Sequence, residues 1–412
     1  MRYGLIGEKL SHSFSKEIHE SLADYKYDLC EIPRDELTSF LQRRDFCAIN
    51  VTIPYKAEVI PCLDEVDEKA ATLCAVNTVV NRDGKLWGYN TDYLGMRDMI
   101  VRSGISLGGK KVIVLGTGAT SRTSALVARD LGAREVVFVS RTKKEGSVTY
   151  GDAKELHTDA HIIINATPVG MYPNSYASPI SLDGFTDLEA VFDAVYNPLR
   201  TPLVREAKAR GLYAEGGLYM LVSQAAHAIG YFTGNAISPE KTEKIYQKIL
   251  TSKENIVLIG MPSSGKSTVG VILSKMLERP LFDLDEEIEK RIGCTIADFF
   301  ERHSEKEFRN IETQITKEIS SQSGAIISTG GGCILREENV GALRSGGRLY
   351  FLDRSLKHLI PTQSRPLARR PGDLENLFRI RHHIYLSVCD VHVNGDETPG
   401  DVAKYIKEDF CK

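Results

Sequence analysis

Short apolar runs alternate with longer amphipathic stretches along three parts of this chain, the pattern of strands each followed by a helix. In the first part, Arg2–Ile6, Ala48–Ile53 and Thr78–Asn81 read as strands with helical patterns between them. The second opens on Lys110-Lys111-Val112-Ile113-Val114-Leu115, a continuous apolar run of the kind buried on both faces of a parallel sheet. A helix over Thr120–Leu131, a strand over Glu135–Val139 and a strand over His161–Asn165 follow. The third opens on the strand Asn255–Ile259 and continues into a helix over Thr268–Leu277. Just before it, Ser238 reads as an N-cap, Pro239 as the first helical position and Glu240 as a first-turn acid, for a helix reaching Leu250. Thr251-Ser252-Lys253-Glu254 breaks that pattern and is the expected interdomain joint. The alternating order predicts α/β layers on parallel sheets. From Arg141 to the strand at His161 there are too few residues for a full crossover helix. Gly146–Asp152 reads as loop, so the second sheet is expected to be trimmed there.

With 412 residues, and domains of about 150, two or three domains are expected. Hydrophobic residues at 42% and charged residues at 26% exclude a disordered chain, a collagen and a coiled coil. The balance of 52 basic against 55 acidic residues leaves a net charge of −3. Neither half is basic, so neither nucleic acid nor an anionic membrane is an expected partner. The long charge-free runs, Ala160–Leu182 and Gly216–Pro239, are broken by Pro, Asn, Ser, Gln or Gly and read as core and loops, not bilayer spans. The N-terminus goes straight into a strand-like run without a signal-peptide stretch. Eight scattered cysteines without a CxxC pair fit reduced thiols in a cytoplasmic protein.

Gly260-Met261-Pro262-Ser263-Ser264-Gly265-Lys266-Ser267 satisfies GxxxxGK[ST] between an apolar strand and an apolar helix. Backbone N–H groups of such a loop turn inward around an anion, and the helix N-terminus adds its positive end. Lys266 is placed to reach the β- and γ-phosphates of ATP and Ser267 to hold Mg²⁺; Gly260, Ser263, Ser264, Gly265 and Thr268 complete the nucleotide set. Asp283 and Asp285 stand two apart at what reads as a strand end. One can organise Mg²⁺, the role expected of Asp283, while the other accepts a hydroxyl proton. Phe308-Arg309-Asn310-Ile311-Glu312, Gly330-Gly331-Gly332, Arg365-Pro366-Leu367 and Arg381 follow.

Together these motifs resemble the shikimate kinase family over residues 255–412. The resemblance implies that Asp285, Arg309, Gly331, Gly332 and Arg381 grip the substrate acid, with the two arginines clamping its carboxylate. It makes Asp285 the catalytic base and Arg365 the lid arginine over the phosphates. One departure is the short segment Lys357–Ser364 with Pro361, which carries no arginine to stack on adenine.

Upstream, Leu115-Gly116-Thr117-Gly118-Ala119-Thr120-Ser121 gives GxG at a strand-to-helix turn, with Ser121 in place of the third Gly or Ala. The next strand ends on Ser140-Arg141-Thr142, followed by Lys143 and Lys144. A basic residue where NAD enzymes carry an acid suits a 2′-phosphate, so NADPH. Further patches are Ser11-His12-Ser13-Phe14-Ser15, Asn50-Val51-Thr52-Ile53-Pro54-Tyr55-Lys56, Ala75-Val76-Asn77-Thr78, Tyr89-Asn90-Thr91-Asp92 and Met220-Leu221-Val222-Ser223-Gln224. Their hydroxyls and amides suit a polyhydroxylated ligand, and Lys56 with Asp92 is a plausible proton-transfer pair.

In this order the patches resemble shikimate dehydrogenase over residues 1–250. The resemblance implies substrate contacts from Ser13, Ser15, Thr52, Lys56, Asn77, Asp92, Tyr196 and Gln224, with Lys56 and Asp92 catalytic. It implies NADP contacts from Gly116, Gly118, Ala119, Ser140, Arg141, Thr142, Asn165, Thr167, Met171 and Gly217. Ser140 stands where an Asn is usual. The expected architecture is an α/β substrate domain (1–106 with about 218–250), a Rossmann-like NADP domain (107–217) and a P-loop kinase α/β domain (255–412). The two resemblances together imply reduction of 3-dehydroshikimate to shikimate, then its phosphorylation from ATP. A non-catalytic sensor built from the same folds, or a quinate/shikimate dehydrogenase in the first half, are the alternatives.

Overall fold

The computed structural model describes residues 2–10, 13–360 and 371–412. The chain divides into two compact units, one of Met1–Asn197 with Leu203–Ile249, the other of Pro198–Pro202 with Leu250–Lys412.

The first unit holds two six-stranded sheets. One runs in the order Tyr27–Glu31, Tyr3–Gly7, Ala48–Val51, Thr78–Arg82, Lys85–Tyr89, Glu65–Val66. It is mixed, because Thr78–Arg82 lies antiparallel to both Ala48–Val51 and Lys85–Tyr89. This corrects the all-parallel expectation, and the reason is local. Asp83 and Gly84 both take positive φ, 51° and 81°, the two-residue turn that closes a hairpin. The other sheet is parallel throughout, in the order Tyr213–Glu215, Ala190–Asp193, Ile162–Asn165, Lys111–Leu115, Glu135–Ser140, Ser147–Thr149. Every residue of Lys111–Leu115 is buried, as a central strand covered on both faces requires.

The segment 146–152 is not loop. It contains the strand Ser147–Thr149 and the start of helix Tyr150–Leu156, closed by a capping box between Thr149 and Asp152. The sheet is therefore extended by one short strand, not trimmed. Six residues join Ser140 to Ser147, and the pairing slips back only to Phe138 opposite Ser147. A full crossover needs a dozen residues or more; this one fits because the added strand has just three.

Helix Leu218–Thr233 packs along helix Thr91–Arg102. Gly95 permits this approach, since a Cβ there would meet the Met220 carbonyl oxygen at 2.5 Å. Tyr93, Met96 and Met220 share one core with Val112, Val114, Ile162 and Phe192. Each such side chain buried contributes roughly 1.5–3 kcal/mol.

The second unit has one parallel sheet in the order Leu281–Asp283, Ile326–Ser328, Asn255–Ile259, Gly347–Asp353, Val391–Asn394. Val257 and Ile259 enter one apolar core, Ile256 and Leu258 the other, the two-residue period of a strand covered on both sides. Helix Pro239–Lys253 runs through the expected break at Thr251, so only Glu254 separates it from the strand at Asn255. Thr251 and Ser252 are tolerated in that last turn because helix propensity differences are only tenths of a kcal/mol, about 0.5. Among the described residues, no helix is long and apolar enough to cross a membrane.

Candidate active sites

In the first unit, the cis peptide Ile53–Pro54 follows the strand Ala48–Val51 and opens a run of turns that carries Lys56. Val76 N–H donates to the Lys56 carbonyl at 2.7 Å, which fixes this turn against the next strand. Asp92 sits in the first turn of helix Thr91–Arg102, whose N-cap Asn90 accepts from Tyr93 N–H. Lys56 Nζ donates to Asp92 Oδ2 at 2.5 Å, with the side chains 19% and 11% exposed. That burial separates the pair from an ordinary surface ion pair, which contributes about 0–1 kcal/mol.

Asn77 is buried beside it. Its Oδ1 accepts from Thr91 N–H at 2.7 Å and its Nδ2 donates to Gln224 Oε1 at 3.0 Å. Thus Lys56, Asn77, Asp92 and Gln224 converge from four separate elements: the turn after one strand, the start of another, a helix start and the body of helix Leu218–Thr233. Thr52 follows the same strand as Lys56, its N–H bonded to Ile6 O at 3.0 Å. Ser13 Oγ accepts from Ser15 N–H at 3.2 Å. Tyr196 lies with its ring 5.3 Å from Phe14, which brings it to the Ser13–Ser15 turn. Burial pushes its hydroxyl pKa up. Ser11 and His12 lie outside the described residues.

The glycine turn after Lys111–Leu115 has the shape a pyrophosphate needs. Gly116 takes φ +104°, and a Cβ on Gly118 would project into open space. Ala119 then starts a twelve-residue helix with free N–H groups and a positive end. Ser121 is fully buried beneath this loop, its Oγ without a hydrogen-bond partner among the described residues. Arg141 and Thr142 are exposed at the strand end.

Ser140 is not brought to the surface with them. Its buried hydroxyl is spent on Thr142 O and Ser147 Oγ. Asn165 is also fully buried: it accepts from Thr167 N–H and Oγ and donates to Asp193 Oδ1. Both residues shape the turns at the strand ends. Met171 is 44% exposed on the turn after Thr167. Gly217 caps helix Leu218–Thr233 and donates to Val195 O at 2.9 Å. Lys144, absent from the expected contacts, reaches Thr117 Oγ1 at 3.5 Å across the glycine turn. The short connection to Ser147 holds it there.

In the second unit the phosphate loop, both aspartates and the arginines line one cavity of about 570 Å³. Lys266 Nζ donates to Gly260 O and Met261 O, both at 2.9 Å. Ser267 Oγ donates to Asp283 Oδ2 at 2.6 Å. A hydroxyl and a carboxylate so close are the hard oxygen donors Mg²⁺ takes alongside phosphate and water. Asp283 ends its strand and caps the next helix by accepting from Asp285 N–H. Asp285 therefore belongs to that helix's first turn, which corrects the strand-end placement.

The three glycines are required by what presses on them. A Cβ on Gly330, Gly331 or Gly332 would meet Asp285 Oδ1 at 2.6 Å, Pro262 Cδ at 2.8 Å or Arg309 Nη2 at 2.4 Å. Arg309 is 8% exposed. It is held by Glu305 at 3.1 Å and by Glu312 at 2.8 Å. Burial raises the pKa of Glu312, with Arg309 opposing. Arg381 is 5% exposed, and burial lowers its pKa. Tyr385 O–H donates to Gly331 O at 2.5 Å, tying the helix of Arg381 to the glycine turn. Ser263 and Ser264 line the cavity with Gly265 and Thr268. Arg365 lies outside the described residues. Glu312, in the middle of helix Glu305–Ser320, and Arg354, just after strand Gly347–Asp353, also line the cavity; a lone charged residue in either place carries no signal of its own in the sequence.

A profile of the shikimate kinase family matches residues 262–410, and one of the shikimate dehydrogenase substrate binding domain matches residues 5–79. A shikimate dehydrogenase (NADP(+)) of Clostridium perfringens is 35% identical over 265 residues, 60% of this chain and 97% of that protein. The chain belongs to the shikimate dehydrogenase family and continues into a shikimate kinase domain. The dehydrogenase part also matches solved structures. A chorismate mutase/shikimate 5-dehydrogenase fusion protein from Clostridium acetobutylicum aligns with TM-score 0.57 and 33% identity, over 60% of this chain and 96% of that one. Shikimate 5-dehydrogenase from Thermus thermophilus, in complex with NADP(H) and shikimate, aligns with TM-score 0.55 and 32% identity, over 60% and 99%. The kinase domain in turn accounts for the phosphate loop that no dehydrogenase needs.

Proposed function

We propose that this chain is a bifunctional enzyme that reduces 3-dehydroshikimate to shikimate with NADPH and then phosphorylates shikimate from ATP. The observation that carries the pairing is one cavity lined by the phosphate loop together with Arg309 and Arg381, downstream of a buried Lys–Asp pair. The product of the first reaction is the substrate of the second.

In the reductase, a bound nicotinamide supplies the hydride. The chain's own part is at the carbonyl oxygen, where Lys56 gives a proton as negative charge develops and Asp92 keeps its ammonium oriented. Asn77, Gln224, Thr52, Ser13, Ser15 and Tyr196 hold the hydroxyls and carboxylate of the acid. Gly116, Gly118 and Ala119 cradle the pyrophosphate; Arg141 and Thr142 take the 2′-phosphate. Thr167, Met171 and Gly217 border the nicotinamide end, with Ser140 and Asn165 shaping the turns beneath. In the kinase, Asp285 accepts the proton of the attacked hydroxyl while Arg309 and Arg381 hold the carboxylate over Gly331 and Gly332. Lys266 draws charge from the phosphates, within the loop of Gly260, Ser263, Ser264, Gly265 and Thr268, and the family resemblance adds Arg365 as a further phosphate ligand. Ser267 and Asp283 would hold Mg²⁺, which when bound offsets phosphate charge.

We place substrate and Rossmann-like NADP parts within residues 1–250 and the kinase within 255–412. The partners are these small acids and nucleotides, without nucleic acid or membrane. Cytoplasmic placement agrees with eight cysteines that form no disulfide. Purified chain given 3-dehydroshikimate, NADPH and MgATP should consume both cofactors one for one, and ATP only after reduction begins. Binding of both acids without turnover of either cofactor would make it a sensor instead.

A further inference from the structure

A buried guanidinium without a partner inside the protein implies an anion from outside it, and four arginines of the second unit stand at or beside the cavity. Arg309 has Glu305 and Glu312. Arg381 faces Tyr385, and its Nε is buried without a hydrogen-bond partner among the described residues, which fits the substrate role given to it above. Arg336 is spent on Arg309 O, Asn310 and Thr313. Arg354 shares the unpartnered Nε of Arg381 but lies on the nucleotide side of the cavity. It directly follows the strand Gly347–Asp353, which is paired to the strand that delivers the phosphate loop. It lines the same cavity as Lys266 and Asp285. Its Nε is buried and has no hydrogen-bond partner, and no carboxylate lies within ion-pair distance of it, among the described residues.

Its direction is fixed by two glycines. Gly395 lets the neighbouring backbone come close, since a Cβ there would meet Arg354 N at 3.0 Å. At the other end of the side chain, Nη1 stands 3.7 Å from the Cβ position of Gly265. Gly265 is the residue immediately before Lys266, at the N-terminus of helix Lys266–Leu277. A guanidinium and the N–H groups of this loop thus face one volume, and both favour negative charge there.

We propose that Arg354 is a nucleotide ligand of the kinase, binding the polyphosphate of ATP through its fork from the side of Gly265. The inference rests on the kinase reading above. It also assigns a cation to the nucleotide where Lys357–Ser364 contains no arginine. Arg354 lies at a strand end, on the rigid frame of the sheet.

The test is titration of the full chain with MgADP and with adenosine, together with KM values for MgATP and shikimate. Arg354→Ala should weaken MgADP and raise the MgATP KM by about 10–100-fold. Adenosine affinity, shikimate KM and reductase activity should stay within twofold. Arg354→Lys should recover only part, because an ammonium lacks the fork. Unchanged MgADP affinity in Arg354→Ala overturns the proposal while the kinase reading stands. Equal losses for adenosine and MgADP also overturn it, since the residue then serves the base or the fold. A wild-type chain that binds no MgADP would remove the kinase reading itself.

Discussion

Replacing Gly332 by Ala tests whether the kinase site depends on the placement of one guanidinium. Gly332 has φ −102°, so alanine introduces no backbone strain there. Its Cβ would lie 2.4 Å from Arg309 Nη2 and 2.5 Å from Nη1. Ordinary contact begins near 3.4 Å, so the guanidinium must retreat by 3.4 − 2.4, about 1 Å. It cannot do so and keep both partners, because Glu312 is 2% exposed and held at 2.8 Å. Losing one charge-assisted bond costs about 1.5–3 kcal/mol. At roughly 2–4 °C per kcal/mol, the kinase melting temperature should fall by some 3–12 °C and the domain should still fold. The effect on chemistry is larger, since a 1 Å misplacement of a positioning group can cost about 10²-fold. The assay is shikimate phosphorylation with varied shikimate at saturating MgATP, with the reductase of the same chain as internal control. We expect kcat/KM for shikimate to fall about 10²-fold and reductase activity to hold. If kcat/KM stays within twofold of wild type, Arg309 does not clamp the acid.

Three further outcomes are expected. Lys56→Ala should lower reductase kcat by about 10²–10⁴-fold and spare phosphorylation of added shikimate; a fall below tenfold would remove Lys56 as the acid. Gly95→Ala should force helix Leu218–Thr233 away from Thr91–Arg102. That would destabilise the first unit by about 1–3 kcal/mol and raise the reductase KM through Gln224, both read by melting curves and steady-state kinetics. Arg141→Ala should raise the NADPH KM about tenfold with little change for NADH, and the difference should shrink at high salt because the residue is exposed. Equal wild-type kcat/KM for the two cofactors would show Arg141 to be a surface residue only.

The parts of each site that were readable in the sequence are those where chemistry constrains neighbours in the chain. Gly260–Ser267 must bring several N–H groups to one anion within eight residues, so its spacing is its function. Lys56 and Asp92 were legible only as residues of suitable type. Their 2.5 Å contact depends on a strand end and a helix start 36 residues apart. The mixed sheet could have been read from Asp83-Gly84, a hairpin signal overlooked because the flanking strands are short. Ser147–Thr149 could not, since three residues carry no period. Glu312 and Arg354 were missed for a common reason. Their importance lies in having, or lacking, a buried partner, which only packing decides.

The return of helix Leu218–Thr233 onto Thr91–Arg102 also bears on how such a chain can be recombined. Asn77 and Gln224, bonded at 3.0 Å, are separated by 147 positions. Any crossover between homologous genes within that interval would match one parent's Gly95 groove to another parent's helix. Most such chimeras would lose the reductase even when each half is well formed. A breakpoint near Ile249 separates no such pair within the first unit. Domain shuffling should therefore exchange the kinase cassette readily while inheriting the reductase whole. A chimera library scored for both activities would show crossovers accumulating at that joint and depleted between Asn77 and Gln224.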